Sequence, residues 1–261
     1  DEAHCISKWG SDFRREYELL KELQNHFPEA VISAFTATAD EETRIDINNK
    51  LTNGEGKIFL YGFNRPNLSL AVQQKTNNWK IQLYEFLENR RNQSGIVYCL
   101  SQKLTEQCAE FLESKGFNAY PFHAGLDPKI KIDTQDKFMT DENVIVCATI
   151  AFGMGIDKAD VRFVAHISLP GSMEAFYQEI GRAGRDGLES DTLLIFGLQD
   201  LFQRKRFIDM SDADDSFKIK EHKRLDSLMA YCDSATCRRQ TLLSYFRENC
   251  DPCGKCDNCL N

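Results

Sequence analysis

Several things are missing from this 261-residue chain. It has no apolar run of membrane-spanning length, so no bilayer-crossing helix is expected. It opens on Asp1-Glu2-Ala3-His4, without a basic leader and apolar stretch, so no secretory signal is expected. No internal repeat or low-complexity segment occurs, which excludes a solenoid or a compositional linker. No Gly-x-x-x-x-Gly-Lys-Ser/Thr run occurs, so a phosphate-cradling loop of that type is absent from these residues. Positive charge is also short. With 32 Lys and Arg against 40 Asp and Glu, the net charge is −8, which weighs mildly against nucleic acid as a partner. The shortage is uneven: acids outnumber bases in residues 1–64 and 65–200, and bases overtake them only in 201–261.

The length suits two compact domains, or one with appendages, and 42% hydrophobic residues can fill real cores. The cysteines fall into two populations. Cys5, Cys99, Cys108 and Cys147 are scattered, and Cys99 and Cys147 end apolar runs as buried free thiols often do. Cys237, Cys250, Cys253, Cys256 and Cys259 crowd the C-terminal end. Clustered cysteines without an export signal read as metal ligands, which sets an intracellular, reducing location as the expectation.

Apolar spacing predicts helices over 16–27, 41–51, 79–89, 102–115, 128–139 and 172–182. Short buried runs predict strands over 30–35, 57–61, 68–72, 95–99, 119–122, 144–148, 162–167 and 192–196. Strands alternating with helices imply a parallel, doubly wound α/β sheet. The Pro-containing stretch 63–68 reads as an interdomain connection. From Asp200 onward the pattern is helical, with helices over 217–232 and around Thr241, Leu242, Tyr245 and Phe246.

Four stretches carry chemistry. In Gln178-Glu179-Ile180-Gly181-Arg182-Ala183-Gly184-Arg185, two arginines lie three apart. A helix starting at Ser172 would bury Phe176, Tyr177 and Ile180 and put both arginines on one face. They then suit a polyphosphate, or are simply solvated at a helix end. Asp1 and Glu2 suit Mg²⁺ held through water and a nucleotide, or form an ordinary surface turn. Thr36-Ala37-Thr38 follows a predicted strand, where α/β sheets place ligand contacts. Thr149-Ile150-Ala151-Phe152-Gly153-Met154-Gly155-Ile156-Asp157 has glycines that let a backbone approach a ligand.

The tail Cys253-Gly254-Lys255-Cys256-Asp257-Asn258-Cys259 spaces three thiols by two residues each. With a fourth thiol this is a structural Zn²⁺ pattern, and an iron–sulfur cluster is the alternative. Cys237 is favoured as the fourth ligand because it anchors the start of the preceding helix; Cys250 is the other choice.

In order, the segments DEAHCISKWGSDFRREY, SAFTATAD, GIVYC, HAGL, ATIAFGMGIDKADVR, QEIGRAGRDG and CRRQTLLSYF…CGKCDNC resemble the RecQ family of superfamily 2 DNA helicases over nearly the whole chain. The resemblance implies RecA-like parallel sheets: part of a first lobe in 1–64, a complete second lobe in 65–200, and a helical hairpin with a four-cysteine zinc-binding subdomain in 201–261. It implies that Asp1 holds Mg²⁺, Glu2 acts on the hydrolytic water and His4 couples the site to DNA. Trp9, Phe13 and Arg14 would sense single-stranded DNA, and Thr36 and Thr38 would link hydrolysis to movement. Gly153, Gly155 and Asp157 would line the second lobe's cleft. Gln178, Arg182 and Arg185 would face ATP, with Arg185 the arginine finger. Cys237, Cys253, Cys256 and Cys259 would bind Zn²⁺.

The implied activity is ATP-driven 3′-to-5′ translocation and unwinding of partly duplex DNA in repair and recombination, by a monomer, in cytoplasm or nucleus, without a membrane. The P-loop would lie upstream of Asp1, so residues 1–261 alone are expected to lack ATPase activity. A non-catalytic zinc-dependent DNA-binding module and an RNA helicase are the alternatives.

Overall fold

A computed structural model describes residues 1–7, 14–153 and 156–260. The chain divides into two compact units, Asp1–Phe63 and Asn64–Asn261.

In the first unit a 3-10 turn, Ala3–Ile6, precedes α1 (Arg15–Glu18), a second 3-10 turn (Leu19–Glu22), α2 (Leu23–His26) and α3 (Glu41–Thr52). Helix α3 starts where its sequence says it should. The Asp40 carboxylate accepts from Thr43 N–H at 2.8 Å, and Glu41 and Glu42 favour the positive end of the helix dipole. Asn53 closes it in a left-handed conformation (φ 53°). A small core joins Ala3, Ile6, Ala39, Ile47 and Leu51, with Tyr17, Leu20 and Ile32 packed on it.

The helix expected over 16–27 forms as an unbroken helical run, Arg15–His26, with a 3-10 turn between α1 and α2, though Leu19 (69% exposed) and Phe27 (61%) do not reach the core. Two expectations fail in this unit. The strands over 30–35 and 57–61 do not form, so this unit carries no sheet among its described residues. Val31 and Tyr61 are almost fully exposed. A strand exists only through the partner that takes its N–H and C=O groups. An apolar run shows a wish for burial, not the presence of that partner.

The second unit is built on a six-stranded parallel sheet of order β1-β6-β5-β2-β4-β3. The strands are β1 (Leu68–Gln74), β2 (Gly95–Tyr98), β3 (Asn118–Phe122), β4 (Val144–Ala148), β5 (Phe163–His166) and β6 (Ser190–Phe196). Between them run α4 (Trp79–Glu88), α5 (Gln102–Ser114), α6 (Pro128–Thr140) and α7 (Met173–Ile180). Strands β2, β4 and β5 are buried at every position, as strands covered on both faces must be. Leu83, Leu87, Val97, Leu112, Ile145 and Phe163 join one core between sheet and helices. Caps match the sequence: Ser101 Oγ accepts from Leu104 N–H, and Pro128 opens α6 behind Asp127.

The tail is helical as expected: α8 (Leu198–Asp209), α9 (Asp215–Asp233), α10 (Arg238–Tyr245) and α11 (Asp257–Leu260). It packs against α7, with Phe176 on Tyr231 (ring centroids 5.3 Å) and Tyr177 on Phe246 (5.0 Å). Among the described residues no helix is long and apolar enough to cross a membrane.

Candidate functional site

The C-terminal ends of β2, β4 and β5 point to one edge of the sheet, where open parallel sheets bind ligands. After β4 the chain runs through Thr149–Gly153 to Ile156 and Asp157; after β5 it enters α7. Phe152 is pinned between Phe122 and Phe138, with centroids at 4.7 and 5.3 Å. Its carbonyl accepts from the buried Tyr98 hydroxyl at 3.0 Å. Burial pushes the Tyr98 hydroxyl pKa well up, and the neighbouring Arg182 pulls it partly back.

Ser172 caps α7, its Oγ accepting from Ala175 N–H at 3.1 Å. The expected extension of this helix through Arg182 is wrong. It ends at Ile180, and residues 181–187 form turns, because Gly181 and Gly184 favour helix poorly and Gly184 takes φ 57°. The arginines therefore do not share a helix face. They converge on the glycine-rich segment instead. Arg182 Nη1 donates to the Gly153 carbonyl at 2.5 Å. Arg185 Nη1 donates to the Ile156 carbonyl at 2.9 Å and pairs with Asp157 Oδ1 at 2.5 Å. Arg182 Nε is buried with no hydrogen-bond partner among the described residues, while the Asp157 side chain is 86% exposed. Gly153, Asp157, Arg182 and Arg185 are thus brought together, with Gln178 half-buried on α7. Gly155 lies outside the described residues.

Five residues around these segments were not singled out as site residues in the sequence. His166 Nε2 lies 2.7 Å from Glu179 Oε2, both buried, and the imidazole stacks on Tyr98 (5.2 Å). Arg65 and Asn67 donate to carbonyls of the 181–188 turns. A His ending an apolar strand and the Arg-Pro-Asn of the connection were the available signals.

In the first unit, Glu2, His4 and Thr36 meet. His4 is buried; its Nδ1 lies 2.7 Å from Thr36 Oγ1 and 3.3 Å from Glu2 Oε2. The Thr38 N–H donates to Thr36 Oγ1 at 3.4 Å. Glu2 sits in the left-handed region (φ 50°, ψ 42°), which costs a residue with a side chain roughly 1–2 kcal/mol. Asp1 Oδ1 accepts from Glu2 N–H at 2.9 Å. Arg14 is half-buried and its N–H donates to the Cys5 carbonyl. Trp9 and Phe13 lie outside the described residues.

The metal cluster closes in space. The sulfurs of Cys237, Cys253, Cys256 and Cys259 all lie within 4.8 Å of one another. Cys237 and Cys256 are 3.9 Å apart, close to the roughly 3.8 Å edge of a zinc–thiolate tetrahedron with ~2.3 Å bonds. Cys253 N–H donates to Cys237 Sγ at 3.3 Å, and Arg238 N–H to Cys256 Sγ at 3.4 Å. Burial raises the Cys253 thiol, but backbone and thiol donors around it outweigh burial and bring it down to about 6. Such donor-rich, crowded sulfurs fit Zn²⁺. Cys250 is not in the group; its carbonyl accepts from Gln240.

Known proteins match most of the chain. Residues 79–187 match the family described as helicase conserved C-terminal domain, and residues 198–260 that described as RecQ zinc-binding. The chain is 42% identical over its full length to the ATP-dependent helicase SGS1 of Saccharomyces cerevisiae, covering 18% of it. It is 42% identical to the ATP-dependent DNA helicase RecQ of Haemophilus influenzae, covering 42% of it. The figures for the Bacillus subtilis RecQ are 39% and 44%. The chain therefore spans less than half the length of these curated relatives. A solved structure of S. cerevisiae Dbp5 shares the fold, with a TM-score of 0.62 at 18% identity over 88% of this chain and 62% of that one.

Proposed function

This chain belongs to the RecQ family of DNA helicases, and from that premise we propose that it forms part of an ATP-driven motor that moves 3′-to-5′ on single-stranded DNA and opens duplex ahead of it. The observation that carries the reading is the convergence of Arg182 and Arg185 on Gly153, Ile156 and Asp157, in the segment between β4 and β5 of a parallel sheet. Guanidiniums placed there stabilise negative charge on a phosphoryl group in flight.

Arg185 acts as the finger: when phosphate arrives, its Nη1 exchanges the Asp157 carboxylate for phosphate oxygens. Arg182, more deeply held, orients the Gly153 turn and offers its unpartnered Nε. Mg²⁺, when bound with ATP, would neutralise phosphate charge. One or two carboxylates suffice for that ion, and Asp1 fits the part. Glu2 accepts a proton from the attacking water. The Glu2–His4–Thr36 contacts then give hydrolysis a path to a DNA-bound surface, Arg14 lying one hydrogen bond from Cys5. Zn²⁺ on the four thiols holds the tail together. The protein works as a monomer inside the cell.

The 261 residues hold no P-loop, so the test uses an ATP-hydrolysing helicase that contains them. With ATP it is expected to unwind a DNA duplex bearing a 3′ single-stranded tail and to leave 5′-tailed DNA and RNA duplexes intact. Equal unwinding of RNA, or a preference for the 5′ tail, contradicts the reading.

A further inference from the structure

One cation in the second unit lies outside every role described so far. Arg65 stands in the connection before β1, yet its guanidinium reaches into the turn that carries both candidate site arginines. Nη1 donates to the Gly181 carbonyl at 3.3 Å, and Nη2 donates to the carbonyls of Ala183 and Gly184 at 3.0 and 2.7 Å. Asn67 Nδ2 adds bonds to the Gly184 and Leu188 carbonyls, both at 2.9 Å. The first of these carbonyls lies just past the end of α7, where a cation is favoured.

Arg65 is itself held. Arg239, buried in the first turn of α10, donates to the Arg65 carbonyl, to the Leu68 carbonyl and to Asn64 Oδ1. Arg239 follows Cys237 by two residues. The preceding Arg238 anchors the same turn: its N–H donates to Cys256 Sγ, and its guanidinium pairs with Asp257 and reaches the Tyr231, Cys232 and Ser234 carbonyls. Asp257 in turn accepts from Val72 N–H on β1. A path of hydrogen bonds joined by the Arg238–Arg239 backbone thus leads from the thiolate cluster, through Arg239 and Arg65, to the turn between α7 and β6.

We infer that Arg65 is a positioning residue for Arg182 and Arg185. It clamps the carbonyls of the Gly181–Gly184 turn so that the two guanidiniums reach Gly153, Ile156 and Asp157, and the zinc-binding tail anchors the clamp through Arg239. The physical need is plain. With glycine at 181 and 184 this turn has little stiffness of its own, and a forked guanidinium is the side chain that can span several carbonyls at once. An ammonium in the same place has the charge but not the fork. The inference deepens the helicase reading and depends on it only for the word positioning.

The test is amide hydrogen exchange on the 261-residue chain as wild type, Arg65→Ala and Arg65→Lys, with zinc content measured on each. The turn has reporters: Ala183 N–H to the Ile180 carbonyl, Gly184 N–H to Val161 and Asp186 N–H to Ala159. In Arg65→Ala these amides are expected to exchange at least about tenfold faster, as befits loss of hydrogen bonds from a charged donor. Amides of β2, β4 and β5 and the zinc content should match wild type. Arg65→Lys should give little rescue, and it carries the same test if the alanine variant fails to fold. Unchanged exchange in the turn, full rescue by lysine, or equally faster exchange throughout the sheet each overturns the inference. In an ATP-hydrolysing helicase that contains these residues, Arg65→Ala should lower kcat for DNA-stimulated hydrolysis by a similar factor. A wild-type kcat there, beside an inactive Arg185→Ala, also overturns it. Turnover by Arg185→Ala itself would instead sink the finger assignment, and the exchange measurement would still decide the clamp.

Discussion

Gly184, between the two arginines, and Gly187, after them, serve the arginine turn differently. Gly184 takes φ 57°, and a Cβ there would meet Asn67 Nδ2 at 2.5 Å, Leu188 O at 2.7 Å and Ser190 Oγ at 2.8 Å. Gly187 takes φ 81° with nothing within 4 Å of such a Cβ. Alanine at 187 should therefore cost only left-handed strain, about 1–2 kcal/mol. Alanine at 184 should cost that strain plus overpacking of roughly 1–3 kcal/mol. Urea unfolding of the two variants checks this, and equal midpoints would show that the Gly184 packing is dispensable. In the sequence Gly184 stands out only by its place before Arg185. The sequence could not show that the absent side chain at Gly184 leaves room for Asn67 Nδ2, because that contact spans more than a hundred residues.

Elements were legible where one stretch of sequence contained its own reason. Helix α5 has Ser101 at its cap and a buried stripe of Thr105, Cys108, Ala109 and Leu112, with Gly116 just beyond its end at φ 81°. The spacing of those residues was enough. Residues 30–35 had an equally apolar pattern and formed no strand, since pairing is decided by what lies alongside. The arginine helix stopped at Ile180 because two glycines outweighed the apolar stripe that fixed its start. The zinc knuckle is the element whose ligands were most readable, and space chose Cys237 over Cys250 by bringing its sulfur among the others. Replacing Cys256 with serine should abolish stoichiometric zinc by metal analysis and speed amide exchange in α10, since thiolate–zinc bonding contributes folding energy directly. Cys250→Ser should keep one zinc per chain. Loss of zinc from the Cys250 variant alone would reverse the ligand assignment.

At the scale of the molecule, the second unit joins two jobs that the sequence presented as separate segments. The turn after α7 brings Arg182 and Arg185 to Gly153 and Asp157, while the tail packs on α7 and grips the connection before β1. Net charge was a poor guide here: the chain is acidic overall, and its informative cations are few and placed by hydrogen bonds. The first unit contributes the Glu2–His4–Thr36 cluster by itself. All of this converges on one claim, that Arg185 is the charge that ATP hydrolysis uses. The decisive measurement is steady-state ATP hydrolysis, with and without single-stranded DNA, by a P-loop-containing helicase that includes these residues, as wild type and Arg185→Ala. The account predicts DNA-stimulated turnover in the wild type and, in the variant, a loss of about 10³-fold or more in kcat with DNA affinity retained. DNA-stimulated turnover at the wild-type rate in Arg185→Ala would contradict it.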